Sequence, residues 1–278
     1  MSVRPRFANS AWVKAPERFV LRDGRWSLIG LPVRYGVFDH PHGGRCLIDT
    51  GYSARVTRGS RSLPLWLYAA ILRPRLETQV LPEAVPEADS ILLTHLHADH
   101  VSALKDYPDA KIYADGASID HFLGGSAFGR TRHGVFRELL PDDFEKRAIR
   151  FETLPLVEAP LGLGPARDVF GDGEVLAVPL PGHLRGHTGL VWPKLGRPLL
   201  YAADAQWLAR AVMEDRPPGP PARWIIDDAE GDDDPQRVAA LGPRAGGAGH
   251  RQDAPDEGER SHQDRPQPLA RSVRIRSL

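Results

Sequence analysis

The sequence predicts an α/β fold of short elements, and three observations predict it. Short runs of β-forming residues recur along the chain, apolar helical stretches stand among them, and proline makes up 26 of 278 residues. Proline at about 9% is roughly twice ordinary usage, so the chain is cut into short pieces and cannot form a long bundle or coiled coil.

The elements follow in order. Residues 33–39 and 45–49 are two runs rich in β-formers, separated by His40-Pro41-His42-Gly43-Gly44, and read as paired strands. Leu63–Leu72 is long enough for a helix and apolar on nearly all sides, which demands burial. Residues 90–94 form a buried-strand pattern running into His95, and 111–114 form the next strand. The pattern weakens over 115–173, where a helix is expected at 117–123 and a helix start at Pro141-Asp142-Asp143; this stretch reads as a cap or insertion. Strand-like runs return at 174–180, 188–192 and 198–203, followed by a helix at 206–213. Asp232-Asp233-Asp234-Pro235 should start another helix at Gln236.

That helix begins with Val238, Ala239, Ala240 and Leu241 and then loses its pattern. From 242 to 278 the large aliphatic residues are Leu269, Val273, Ile275 and Leu278, too few to offset the entropy of ordering the segment. Residues 1–241 therefore read as one domain and 242–278 as an irregular, disordered tail. The abrupt change has the character of a shifted reading frame or an alternative terminus.

Composition narrows the functional classes. Lys and Arg number 36, and so do Asp and Glu, so no net field draws the chain to nucleic acid. Residues 1–19 lack the apolar stretch of a secretory leader, and no run is long enough to span a membrane. Cys46 is the single cysteine, which excludes a disulfide framework and a thiolate zinc cluster and fits a reducing cytoplasm. Any metal must be held by imidazole and carboxylate.

Thr94-His95-Leu96-His97-Ala98-Asp99-His100 supplies those groups at the end of an apolar strand. Side chains two apart on an extended segment point the same way, so His95 and His97 can grip one cation. A turn after residue 98 aims Asp99 and His100 at a neighbouring position. Neutral imidazoles with a carboxylate suit Zn²⁺, with Fe²⁺ or Mn²⁺ as alternatives. His183, in Pro181-Gly182-His183-Leu184-Arg185-Gly186-His187, and Asp204, after Leu199-Leu200-Tyr201-Ala202-Ala203, each stand at the tip of another expected strand.

Together with Leu47-Ile48-Asp49-Thr50-Gly51, these segments resemble the metallo-β-lactamase superfamily of hydrolases over residues 33–207. The resemblance implies an αββα sandwich with the metal site at one edge of two facing sheets. It implies His95, His97 and His183 as ligands of a first zinc, Asp99 and His100 as ligands of a second, and Asp204 as the bridge. It also implies hydrolysis of a small ester, lactone or thioester by a metal-activated hydroxide, with Asp99 moving the proton. The nearest likeness is to the acyl-homoserine lactonase branch, with glyoxalase-like thioesterases and phosphodiesterases as the other enzyme readings.

The chain departs from the family twice. Trp207 stands where the lactonase branch carries a tyrosine, and the family's last histidine ligand has no strand-borne equivalent, since His250 and His262 sit in the irregular tail. Without that ligand the second metal would bind weakly and the polypeptide would be catalytically impaired. Of the other residues, His187 reads as support for the loop, Asp49 as an anchor of its turn, Cys46 as core, and His40, His42, His121 and His133 as loop residues. Trp66 and Tyr68 are positioned to line an apolar substrate channel.

Overall fold

Two facing sheets account for every described strand in the computed structural model, which describes residues 3–205 and the strand pair 274–275. The expected helices at 206–213 and from Gln236, together with Trp207, His250 and His262, lie outside the described residues.

The first sheet opens with β1 (Arg6–Pro16), α1 (Glu17–Val20) and β2 (Leu28–His40), and β1 pairs antiparallel with β2. β3 (Gly44–Ile48) continues antiparallel through the turn at 40–44. The chain then leaves the sheet through α2 (Ala54–Thr57), α3 (Leu63–Leu72) and β4 (Arg75–Leu76), which pairs with β1 at the edge. It returns as β5 (Ser90–Leu92), parallel to β3, as a crossover of this length allows. After α4 (Ala98–Val101) comes β6 (Lys111–Ala114), then α5 (Gly116–Gly124), α6 (Ala127–Arg132) and α7 (Phe144–Arg147), and then β7 (Ala148–Arg150); β5, β6 and β7 are parallel neighbours.

The second sheet is the meander β8 (Leu156–Ala159), β9 (Gly164–Asp168), β10 (Leu176–Pro179), β11 (Thr188–Trp192) and β12 (Leu199–Tyr201). β13 (Arg274–Ile275) lies parallel to β12 at its edge. The stretch at 115–173, expected to be a cap or insertion, thus provides strands to both sheets. Its three strands are only three to five residues long, β7 and β8 lie at sheet edges and β9 opens with Gly164-Pro165, so they lack the apolar alternation that marks a strand. β1 also escapes sequence reading because a register shift between Asn9 and Ala11 breaks its two-residue period.

Alternation divides the core. Cys46, Ile48, Leu92 and Tyr113 point into the space between the sheets, where they meet Val175, Ala177, Leu190 and Trp192. Their neighbours Leu47, Ile91 and Ile112 point outward into the layer that holds Val56, Leu65, Ile119, Phe122 and Phe144 from the helices. Trp192 is fully buried and meets Phe38 edge-on, ring centroids 5.6 Å apart, in the geometry aromatic quadrupoles prefer. Burial raises the Cys46 thiol to about 12, so it behaves as an apolar core group.

α3 is the exception to the rule that apolar segments are covered. It forms where the sequence places it, with Ser62 as N-cap accepting from the Leu65 N–H and Pro64 in its first turn. Of its ten residues only Leu65 and Ala69 are buried, while Leu63, Trp66, Leu67 and Ile71 face solvent. The burial that its composition demands is met on one face only, the face that has a sheet to rest on.

Candidate metal centre

The strand tips of both sheets meet at one edge, and backbone hydrogen bonds hold them there. The Thr188 N–H donates to the Thr94 carbonyl at 2.8 Å, which ties the start of β11 to the segment after β5. The Thr50 N–H donates to the His100 carbonyl at 2.8 Å, and the Ala98 N–H to the Gly134 carbonyl at 3.1 Å. All six residues expected to bind metal, His95, His97, Asp99, His100, His183 and Asp204, gather at this edge.

His95 Nε2 lies 3.0 Å from His97 Nδ1, which lies 3.0 Å from His183 Nε2. His97 Nδ1 carries either one hydrogen or one lone pair, so it can make a well-directed hydrogen bond to only one of its two neighbours. A cation at the common point would satisfy all three nitrogens at once. With Zn–N bonds of about 2.0–2.1 Å, tetrahedral ligand nitrogens stand about 3.3 Å apart, close to the spacing found. Burial, with the neighbouring imidazoles added, pushes His95 and His97 well below the ordinary histidine range, and burial pushes His183 to about 3 despite the opposing pull of Asp204. The rings are therefore neutral at neutral pH, the state in which imidazole binds metal.

Beside this trio lies a second group, formed by His95, His100 and Asp204. Asp204 turns one oxygen to each side: Oδ2 is 3.5 Å from His183 Nε2 and Oδ1 is 3.7 Å from His100 Nε2. Asp99 Oδ2 is 3.7 Å from the same His100 nitrogen. Burial raises Asp99 to about 6 against the attraction of His100, with the charge of Asp204 reinforcing the rise. Burial opposes ionisation of Asp204 too, but His100, with His183 and His187 behind it, holds that carboxyl well below its usual range. For His100 the charges of Asp49, Asp99 and Asp204 overcome desolvation and favour the imidazolium. The same negative field favours a divalent cation, whose binding would release that proton.

Asp49 organises the ring orientations and does more than anchor its own turn. It is fully buried at φ 55° and accepts from the Thr94 N–H and the Thr94 hydroxyl, both at 2.8 Å, and from His100 Nδ1 at 2.9 Å. The Thr94 hydroxyl in turn accepts from His95 Nδ1 at 3.0 Å. This relay places protons on the Nδ1 atoms, so His95 keeps an Nε2 lone pair for the site and His100 gains one when its Nε2 proton is released, the usual outer support of a metal-binding histidine. Sequence reasoning missed the relay; its one visible sign was the Asp49-Thr50-Gly51 turn. His187 donates from Nδ1 to the Leu180 carbonyl at 3.0 Å, and its ring centroid is 5.1 Å from that of His95, so it supports the loop as expected.

The loop carrying His183 depends on Gly186, at φ 72°. A Cβ there would enter the Asp115 carboxylate and come within 2.6 Å of Ser118 Cβ, at the N-terminus of α5. Gly186→Ala is expected to destabilise the fold by about 2–4 kcal/mol, the sum of left-handed strain and a steric clash, as read from urea unfolding.

A cavity of about 100 Å³ opens beside the carboxylates. Asp99, His100, Tyr201 and Asp204 line it together with Val13, Leu31, Val33 and Arg34. The Tyr68 hydroxyl bonds that of Tyr52 at 2.7 Å and its ring packs edge-on to Phe136, while Gly134 lies between Tyr68 and His97. Tyr68 therefore faces the site, whereas Trp66, expected beside it, faces solvent.

Comparison with known proteins agrees with this geometry. A family model described as the metallo-beta-lactamase superfamily matches residues 29–242. An N-acyl homoserine lactonase of Azorhizobium caulinodans is 28% identical over 204 residues, covering 68% of this chain and 70% of that protein. A probable metallo-hydrolase of Mycobacterium tuberculosis is 27% identical over 175 residues, 58% of this chain and 53% of that one. Among solved structures, an N-acyl homoserine lactone hydrolase with the product N-hexanoyl-L-homoserine bound at its catalytic metal centre shares the fold at a TM-score of 0.58 and 16% identity, over 87% of this chain and 86% of that one. A probable metal-dependent hydrolase from Staphylococcus aureus does so at 0.59 and 16%, over 88% and 85%.

Proposed function

Because the chain belongs to the metallo-beta-lactamase superfamily and is a metal-dependent hydrolase of that family, we propose that it opens lactone rings, those of N-acyl homoserine lactones foremost. The observation that carries the reading is the meeting of His95 Nε2, His97 Nδ1 and His183 Nε2 at 3.0 Å spacing, with Asp204 turned toward both His183 and His100. His95, His97 and His183 would hold one cation, Asp99 and His100 a second, and Asp204 both. The nitrogen and carboxylate donors fit zinc, and iron or manganese by the same chemistry. Bound there, two cations supply a Lewis acid for the scissile carbonyl and lower the pKa of an attacking water.

The chain's own residues do the rest. Asp99, raised to about 6 by burial, is placed to take a proton and return it to the alkoxide that leaves when the ring opens. The apolar wall of Val13, Leu31 and Val33 suits an acyl chain lying beside these carboxylates, and Arg34 offers a donor to a carbonyl oxygen at the same place. Similarity to a protein named as an N-acyl homoserine lactonase supports choosing the lactone among carbonyl substrates.

The test is a panel assay of zinc-loaded protein with an N-acyl homoserine lactone, an acyl thioester and a phosphodiester. The expected result is about two equivalents of zinc and a kcat/KM highest for the lactone, with acid released. Preference for the thioester or phosphodiester, or no turnover with zinc bound, would overturn the lactonase reading.

A further inference from the structure

The outer face of α3 is an apolar stripe with nothing against it among the described residues. Leu63, Trp66, Leu67, Ala70 and Ile71 fall at i, i+3, i+4, i+7 and i+8, which places them on one side of the helix over about 12 Å. Four of them are large and open to water: Leu63 is 67% exposed, Trp66 50%, Leu67 46% and Ile71 77%. The opposite side carries Leu65 and Ala69 into the core. Four large apolar side chains side by side form a patch of the kind that marks an interaction surface rather than ordinary monomer surface.

Charge at its two ends identifies the partner. Arg58 precedes the helix, and Arg73 and Arg75 follow it, all exposed. The side chains of Arg58 and Arg75 have no hydrogen-bond or ion-pair partner among the described residues, and Arg73 donates only to the Ala70 carbonyl. Of the nearby acids, Asp106 pairs with Arg55 and Glu138 accepts from Ser62 at the helix N-terminus, while the exposed Glu77 beyond Arg75 stands against three arginines. A second copy docked across a two-fold axis would set these arginines against their own kind. An apolar stripe ending in free cations fits an anionic amphiphile, and tryptophan is the residue that best occupies such a boundary.

We propose that α3 docks the protein on an anionic lipid bilayer surface, with Leu63, Trp66, Leu67 and Ile71 in the interface and Arg58, Arg73 and Arg75 on the headgroups. At ten residues α3 is about 15 Å long, too short to cross a bilayer, so its contact with the surface is peripheral. The proposal stands apart from the lactonase reading, since it rests on the outer face of a helix whose inner face reaches the site.

The experiment is sedimentation of the full chain with vesicles of phosphatidylcholine alone and of phosphatidylcholine with phosphatidylglycerol. Binding is expected only to the anionic vesicles and is weakened by salt, because headgroup attraction is screened. Leu67→Glu with Ile71→Glu is expected to abolish it, and Arg58→Ser with Arg75→Ser to weaken it about tenfold or more. All four positions are exposed, so each variant should retain the thermal midpoint and hydrolytic rate of the parent. Three results would overturn the proposal: no vesicle binding by the parent, equal binding by the Leu67→Glu, Ile71→Glu variant, or a parent dimer that this variant dissociates, which would make a second copy the occupant.

Discussion

Replacing His183 with alanine is expected to lower kcat/KM for the preferred substrate by about a thousandfold or more, equivalent to at least about 4 kcal/mol of transition-state stabilisation. His183 enters from the second sheet's edge, whereas His95 and His97 come from the first, so it is the residue that makes the trio a three-coordinate site. With it gone, His95 and His97 still face each other at 3.0 Å, but two imidazoles hold a cation far less firmly than three. Zinc content should fall together with activity. The fold should survive, because the Gly186 turn and the Leu180–His187 backbone bond that shape the loop are untouched. A variant that kept its full zinc and its rate would remove His183 from the site.

The second large effect is expected at Asp49, which touches no substrate. Asp49→Asn keeps the size of the side chain, and asparagine tolerates the positive φ found there, so the change is chemical rather than steric. One carboxylate oxygen becomes an N–H donor facing groups that themselves donate. If that amide faces His100, the ring is driven to accept at Nδ1 and carry its proton on Nε2, the atom turned toward Asp99 and Asp204. If it faces the Thr94 N–H, a buried donor loses its acceptor. Zinc affinity is expected to fall about 10–100-fold, the usual cost of removing an outer hydrogen-bond partner of a ligand. Stability is expected to fall by about 1–3 kcal/mol for the buried group left unsatisfied. Isothermal titration with zinc and urea unfolding measure the two separately. Unchanged zinc affinity would show that the Asp49–His100 contact is purely architectural.

These two residues show how unevenly the site could be read from the chain. The spacing of His95, His97, Asp99 and His100 was legible because four donors within six residues need only a strand and a turn to converge. His183 and Asp204 were legible only as side chains at expected strand tips, and the family resemblance gave them their metal roles, since no local pattern links positions so far apart. The service that Asp49 performs for Thr94 and His100 was invisible, because it crosses from the end of β3 to the end of β5. α3 failed differently: its span was read correctly, but its composition promised a burial that the sheet provides on one side only.

By itself the sequence determined the local matters: which stretches extend, where α3 starts and stops, and which short segment carries the histidines and carboxylate. Those follow from propensity, turn chemistry and side-chain period, all set by neighbours in the chain. The tertiary structure alone decided which strand tips share an edge, how Asp49 orients two rings, and which face of α3 stays open. Those depend on contacts between residues distant in sequence, whose free energy exists only once the two sheets have closed on their common core.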